Sequence, residues 1–401
     1  MPDKPYLSLA ERDRRYKLVR EAMKERGLDA LLVWGDGGKW DWKMANMHYL
    51  SGGIGGNGEE GLMFFPLEGE PTCIIHGGGG KSILDAYLEY GIWVTDFHDQ
   101  HNDGYVKFPV ELLKQLKLTK ATIGIPGLLE RGRKIMFPSG IFTALREELP
   151  KTDFRDASDL IEDIRAVKSP EEIALMERAA QIGEAAIDTL AEVARPGVPE
   201  NEVVAAMFHT MISQGSDIPI MFLWNAGRPL YIANMAFTRG RPLQNGDIIL
   251  AEFSPRFHGY CAHPTQSVVV GDWPDEEWEK LYQAHLASYR AGFNALRPGI
   301  TVGELAKVFN EPFVAAGFPP SRGKGWHGMG LGTEGGKGGG ATPINEALAS
   351  EVFREGWTLA FESKTHSLDK SKGILVGDVV LVTHDGRRRL GKREPEIRIC
   401  K

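Results

Sequence analysis

Two carboxylates and two imidazoles in the C-terminal half have the types and settings of metal ligands. Glu252 and His263 stand eleven residues apart in GDIILAEFSPRFHGYCAHPTQSVVVG, residues 246–271. His327 lies in WHGMG, where flanking glycines permit close backbone approach to a ligand. Glu362 lies in LAFES, a carboxylate inside an apolar strand. Such a group is rarely buried unless it is paired or bound to a cation. Two imidazoles and two carboxylates suit one divalent ion of Zn, Mn or Fe. The ion would polarise a substrate oxygen or acidify a water. The candidate catalytic set is His327, Glu362 and Glu334, with either glutamate as general base. The plain alternatives are a packing histidine, an edge-strand carboxylate at Glu362 and a solvated loop carboxylate at Glu334.

Other residues are candidates for handling a substrate. Arg228, Arg239 and Arg241 flank the apolar stretch before Gly246, and one of them can clamp a carboxylate bidentately. Trp40, Trp42 and His48, in an N-terminal loop, are candidates for closing the site. Each has a surface or packing alternative. His209, on an expected helix, reads as packing or surface. The run GGGGKS at 77–82 lacks the first glycine of a phosphate loop, because Ile75 stands there.

The elements that must position these groups follow from periodicity. Ile248 to Phe253 alternate, Pro255 to Gly259 carry turn chemistry, and Tyr260 onward returns as a strand, so the segment reads as a hairpin. Ser169-Pro170-Glu171-Glu172 starts a helix, with Ser169 as N-cap, Pro170 at N1 and Glu172 completing a capping box. Further helices are expected near 199–214, 274–296 and 302–316. Strands are expected over 218–237, 356–365 and 373–386. Over residues 1–155 a helix at 10–27 leads into alternating strands and helices, including a helix at 80–90 and a strand at 92–95, an α/β pattern. Residues 156–169 read as a bridge. The expected domains are 1–160 and 161–401, the second α+β.

Composition narrows the class. The chain has 401 residues, more than one core usually fills. A net charge of -7 offers no footprint for nucleic acid or an anionic membrane. No window approaches a membrane span, and the N-terminus lacks a secretory apolar region. Three cysteines without metal or redox spacing suit a reducing, cytoplasmic setting.

The motifs AVKSPEEIALMERAA (166–180), GDIILAEFSPRFHGY (246–260), WHGMGLG (326–332), GWTLAFE (356–362) and GDVVLVTHDG (377–386) resemble the pita-bread superfamily of creatinase, aminopeptidase P, prolidase and methionine aminopeptidase. GLDALLVWGD and NMHYLSGG resemble the smaller domain preceding it in creatinase and aminopeptidase P. The resemblance implies an α+β pita-bread catalytic domain behind a smaller α/β domain, and a homodimer. It also implies two metal ions held by two Asp, one His and two Glu. Here Glu252 and His263 stand for the two Asp, His327 and Glu362 match, and Gly377 stands where the last Glu is expected, with Asp378 in reserve. Losing about two negative charges weakens a two-ion site, so one ion is expected. Glu334 replaces a second family His seven residues after His327, and Asn234 and Met235 stand where creatinase has its catalytic His. The insertion before Gly377 holds His366, Asp369 and Lys370. The leading expectation is hydrolysis of a C–N bond in a small carboxylated molecule. The alternatives are a lyase like the dimethylsulfoniopropionate-lyase branch, an Xaa-Pro dipeptidase, and a non-catalytic binding module.

Overall fold

The computed structural model describes residues 7–37, 44–53, 60–76, 89, 91–129, 136–219, 221–228, 238–321, 325–334, 344–363 and 365–401. Trp40, Trp42, Asn234, Met235, the glycine run at 77–80 and nearly all of the helix expected at 80–90 lie outside them. The chain divides into two units, Met1–Arg165 and Ala166–Lys401.

In the first unit, α1 (Leu9–Glu25) starts where the Ser8 side chain accepts from the Glu11 amide and stops before Gly27, whose φ of +63° ends the helix. Next come β1 (Ala30–Asp36), α2 (Ala45–Ser51), β2 (Glu60–Pro66), β3 (Thr72–Ile75) and β4 (Asp96–Asp99). They are followed by α3 (Gln100–Asp103), α4 (Lys107–Gln115), β5 (Thr122–Ile125), α5 (Ser139–Glu148), β6 (Asp153–Asp156) and α6 (Leu160–Ala166). The strands form one sheet in the order β4-β3-β2-β1-β5-β6. Its centre, β1-β2-β3, is antiparallel and its flanks are parallel. One expectation is corrected here. The apolar run at 92–95 is not a strand: Ile92, Trp93 and Val94 are buried as irregular chain, and the more polar Asp96–Asp99 forms the edge strand. Packing took the apolar residues, while an edge strand tolerates polar ones. The bridge at 156–169 contains α6, which buries Leu160 and Ile161.

In the second unit the capping box forms as expected at the head of α7 (Pro170–Val193). There follow α8 (Glu200–Ser213), β7 (Phe222–Gly227), β8 (Ile248–Phe253), β9 (Arg256–Phe257), β10 (Tyr260–Cys261) and β11 (Thr265–Val270). Next are α9 (Glu276–Ala295), α10 (Val302–Ala315), β12 (Trp326–Gly330), β13 (Gly332–Glu334), α11 (Glu346–Ala349) and β14 (Thr358–Phe361). The chain ends with β15 (Thr365–His366), β16 (Gly373–Ile374), β17 (Asp378–Thr383), β18 (Gly386–Arg389) and β19 (Arg398–Cys400). One sheet runs β19-β11-β8-β7 and another β13-β12-β14-β17-β18. A bridge between Thr265 and Gly377 ties them together: Thr265 N–H donates to Gly377 O at 3.1 Å and Gly377 N–H to Thr265 O at 3.0 Å.

The core of this unit explains which faces are left for chemistry. Trp326 and Phe361 pack with Phe309 of α10 and Tyr289 of α9. Because strand side chains alternate, burying Trp326 and Phe361 against the helices turns His327 and Glu362 to the opposite face.

His285 of α9 is fully buried, with Nδ1 2.9 Å from the Thr365 hydroxyl and Nε2 2.8 Å from the Val376 carbonyl. Burial holds it neutral and pushes its pKa down to about 4. The unfolded chain therefore takes up this proton first, near pH 6.5. Stability is full above that value and falls as pH drops toward 4. His285→Gln should lose about 2 to 3 kcal/mol less stability between pH 7.5 and 4.5 than the wild type in urea unfolding. An identical pH dependence in the two proteins would contradict this.

Candidate metal centre

The hairpin that carries two of the expected ligands turns at His258-Gly259, with φ of +48° and +79°. Positive φ at both central residues matches the twist of the flanking strands. The sequence expectation of a turn over Pro255 to Gly259 is thereby corrected: Arg256–Phe257 and Tyr260–Cys261 pair as strands. The register runs on unbroken. Phe257 faces Tyr260, Arg256 faces Cys261 and, further out, Glu252 faces Thr265. Between them Phe253 N–H donates to Pro264 O at 3.4 Å and Ala262 N–H to Pro255 O at 3.1 Å. In this register His263 lies opposite Ser254, and Glu252 is its diagonal neighbour on the same face.

Ser254 was not among the residues singled out from sequence. Its Oγ lies 2.8 Å from His263 Nδ1, and both residues are buried. Reading His258-Gly259 as a two-residue turn would have paired it with His263 directly.

His263 Nε2 faces two carboxylates, Glu362 Oε2 at 3.1 Å and Glu252 Oε1 at 3.4 Å. His327 Nε2 lies 3.5 Å from Glu362 Oε1. Donor atoms of His263, His327 and Glu362 all lie within 4.8 Å of one another. Donors at 2.0–2.1 Å around a tetrahedral ion are about 3.3 Å apart, so the spacing fits one ion. Both imidazoles also have their other nitrogen occupied. His327 Nδ1 lies 2.9 Å from the Gly328 carbonyl, which can only accept. The proton therefore sits on Nδ1, and a neutral ring aims its Nε2 lone pair at a carboxylate. Such a contact needs a cation or a proton between the two. Burial alone would lower the pKa of His263, but the Glu362 charge and the hydrogen bonds and charge of Glu252 and Glu362 raise it to about 9. A positive charge is thus favoured at this spot.

The other candidates are placed as follows. Glu334 is buried, but its carboxylate makes an ion pair with Lys168 and accepts from the Leu331 amide at 3.1 Å. Asp378 is not a reserve ligand: it lies beside Phe361 in the register, on the face opposite Glu362, and Oδ1 accepts from Arg393 at 2.7 Å. Gly377 leaves no space for a side chain, since a Cβ would lie 2.0 Å from the Phe361 carbonyl oxygen. The arginines are not brought to the cluster. Gly227 pairs with Ile248 and Leu223 with Glu252, which puts Arg228 and Glu252 at opposite ends of β7 and β8, about 17 Å apart along the strands. Arg228 is exposed over Gly246. Arg239 donates to the Ala226 carbonyl and lies 3.8 Å from Glu200, while Arg241 lies 3.0 Å from Glu200 and 2.8 Å from Asp247. His48 is buried on α2 of the first unit. His366 Nδ1 is 2.8 Å from the Ser367 carbonyl, and Asp369 holds the turn of β15–β16 through Ser367 and Ser371. His209 is exposed on α8.

Comparison with known proteins agrees with this architecture. Residues 174–384 match metallopeptidase family M24, and residues 15–167 match the creatinase/prolidase N-terminal domain. An Xaa-Pro dipeptidase of Pyrococcus horikoshii is 25% identical over 386 residues, covering 95% of this chain and 97% of the relative. An ectoine hydrolase of Halomonas elongata is 24% identical over 319 residues, covering 75% of each chain. The structure of an X-Pro aminopeptidase from Thermotoga maritima superimposes with a TM-score of 0.77 at 19% identity, covering 96% of this chain and 99% of that one. Among the described residues no helix is long and apolar enough to cross a membrane. A family match over more than half the chain, behind a matching N-terminal domain and over a two-sheet site of His and Glu donors, means that the chain belongs to metallopeptidase family M24, as a metal-dependent, peptidase-like hydrolase of pita-bread fold.

Proposed function

We propose that this chain hydrolyses a C–N bond in a small carboxylated molecule with one divalent ion, Zn, Mn or Fe. His263, His327 and Glu362 would hold it, with Glu252 at its edge. The observation that carries this reading is the convergence of two imidazole Nε2 atoms on the Glu362 carboxylate, each ring having its Nδ1 occupied. When bound, the ion supplies Lewis acidity at the scissile group. The remaining chemistry falls to side chains. Glu252 touches His263 but stands outside the three mutually close donors, which suits it to accept a proton from the attacking water. Glu334, tied to Lys168, then holds the β12–β13 hairpin in place of acting as the base. The similarity to an ectoine hydrolase supports a non-peptide amide or amidine-like substrate. A second reading, an Xaa-Pro dipeptidase, is favoured by the relative that spans 95% of the chain. A homodimer is the assembly we infer, and light scattering of the purified chain tests it.

Metal analysis of protein purified without added ions should find about one ion per chain. Two tightly held ions would overturn the one-ion reading, and so would none after loading with Zn, Mn or Fe. His263→Ala should lose that ion, and retention at wild-type affinity would remove His263 from the site. Glu252→Gln should keep the ion yet lower kcat about 10²- to 10⁴-fold, as expected for loss of a general base. Xaa-Pro dipeptides, small carboxylated amides, ectoine and elimination substrates can be assayed side by side. Turnover of the dipeptides alone would favour the second reading, and an alkene product would replace hydrolysis by elimination.

A further inference from the structure

We propose that Ser254 is a positioning residue that sets the ring orientation and tautomer of His263. The proposal rests on the one-ion reading of the cluster. His263 is buried at 3% exposure and Ser254 at 1%, so water has little access to the ring. Ser254 Oγ is the hydrogen-bonding partner of Nδ1, at 2.8 Å. The serine is itself held: its amide donates to the Met221 carbonyl at 3.0 Å, and the neighbouring cross-strand bonds from Phe253 and Ala262 fix it opposite His263. A hydroxyl there accepts the Nδ1 proton and leaves the Nε2 lone pair facing Glu252 and Glu362. Without it, a ring presenting Nε2 to a cation carries an unanswered N–H in a dry interior. The ring then either flips or exchanges its proton, and the ligand is lost from the shared point. The two histidines are therefore supported differently. His327 leans on the carbonyl of its own next residue, whereas His263 depends on one side chain that another residue can replace.

The test is Zn²⁺ binding to the full chain, titrated against a competing chelator, for wild type, Ser254→Ala and Ser254→Thr. Ser254→Ala should weaken Zn²⁺ about 10- to 100-fold, the usual effect of removing a support behind a ligand, and Ser254→Thr should restore most of it. ¹⁵N spectra of the Zn²⁺-loaded wild type, labelled at histidine, should show His263 protonated at Nδ1 and metal-bound at Nε2. Ser254→Thr should keep that pattern. Equal affinity of wild type and Ser254→Ala, or Nδ1 coordination in the wild type, would overturn the role of Ser254 while leaving the one-ion reading standing. A wild type that binds none of Zn²⁺, Mn²⁺ and Fe²⁺ would overturn both. The Thr variant separates loss of the hydroxyl from general loosening of the hairpin.

Discussion

The second unit is built around an electrostatic demand. Glu252 and Glu362 bring two carboxylates to within 3.4 Å and 3.1 Å of one buried imidazole nitrogen, and a second imidazole adds its Nε2 at 3.5 Å from the same Glu362. Buried carboxylates are tolerated only with compensating positive charge. The upward displacement of the His263 pKa against its burial expresses that demand as a proton, and a divalent ion would meet it in the same place. Two buried carboxylates this close repel each other, so the surrounding fold must hold the groups together.

That holding is done by apolar packing on the far side of the same strands. Trp326 and Phe361, the immediate neighbours of His327 and Glu362, are fixed among Phe309, Tyr289 and Phe353. The helices that supply this core therefore orient His327 and Glu362 through the two-residue period of a strand. The Thr265–Gly377 bridge ties the sheet bearing Glu252 and His263 to the sheet bearing His327 and Glu362. The glycine lets the backbone approach the Phe361 carbonyl closer than any other residue permits, which leaves the site without a carboxylate at that position. Around this centre the other charges pair off. Lys168 with Glu334 and Arg393 with Asp378 are both buried and keep their carboxylates away from the shared point.

Much of this was legible before any coordinates. The capping box at Ser169–Glu172, the glycine stop of α1 and the alternation along Ile248–Phe253 are local, and local chemistry dictates them. So are the ligand types: a glutamate in an apolar strand and a histidine among glycines announce a polar task inside a core. The resemblance carried by the ordered motifs extended this to the whole architecture. Other readings failed where packing overrode pattern. Residues 92–95 look like a strand but serve as irregular core, and residues 255–259 look like one turn although only His258-Gly259 bends.

The sequence by itself therefore determined which residues had the chemistry of ligands and which strands would carry them, because residue type and two-residue alternation are properties of a short segment. Only the tertiary structure decided the membership of the site. His263 and Glu362 are 99 residues apart, and their 3.1 Å contact depends on how two sheets pack. The same packing sent Asp378 to the opposite face, gave Glu334 to Lys168 and left Arg228 and Arg239 at the distant end of β7 and β8. It also placed Ser254 behind His263, through a register that one two-residue turn sets for the whole hairpin.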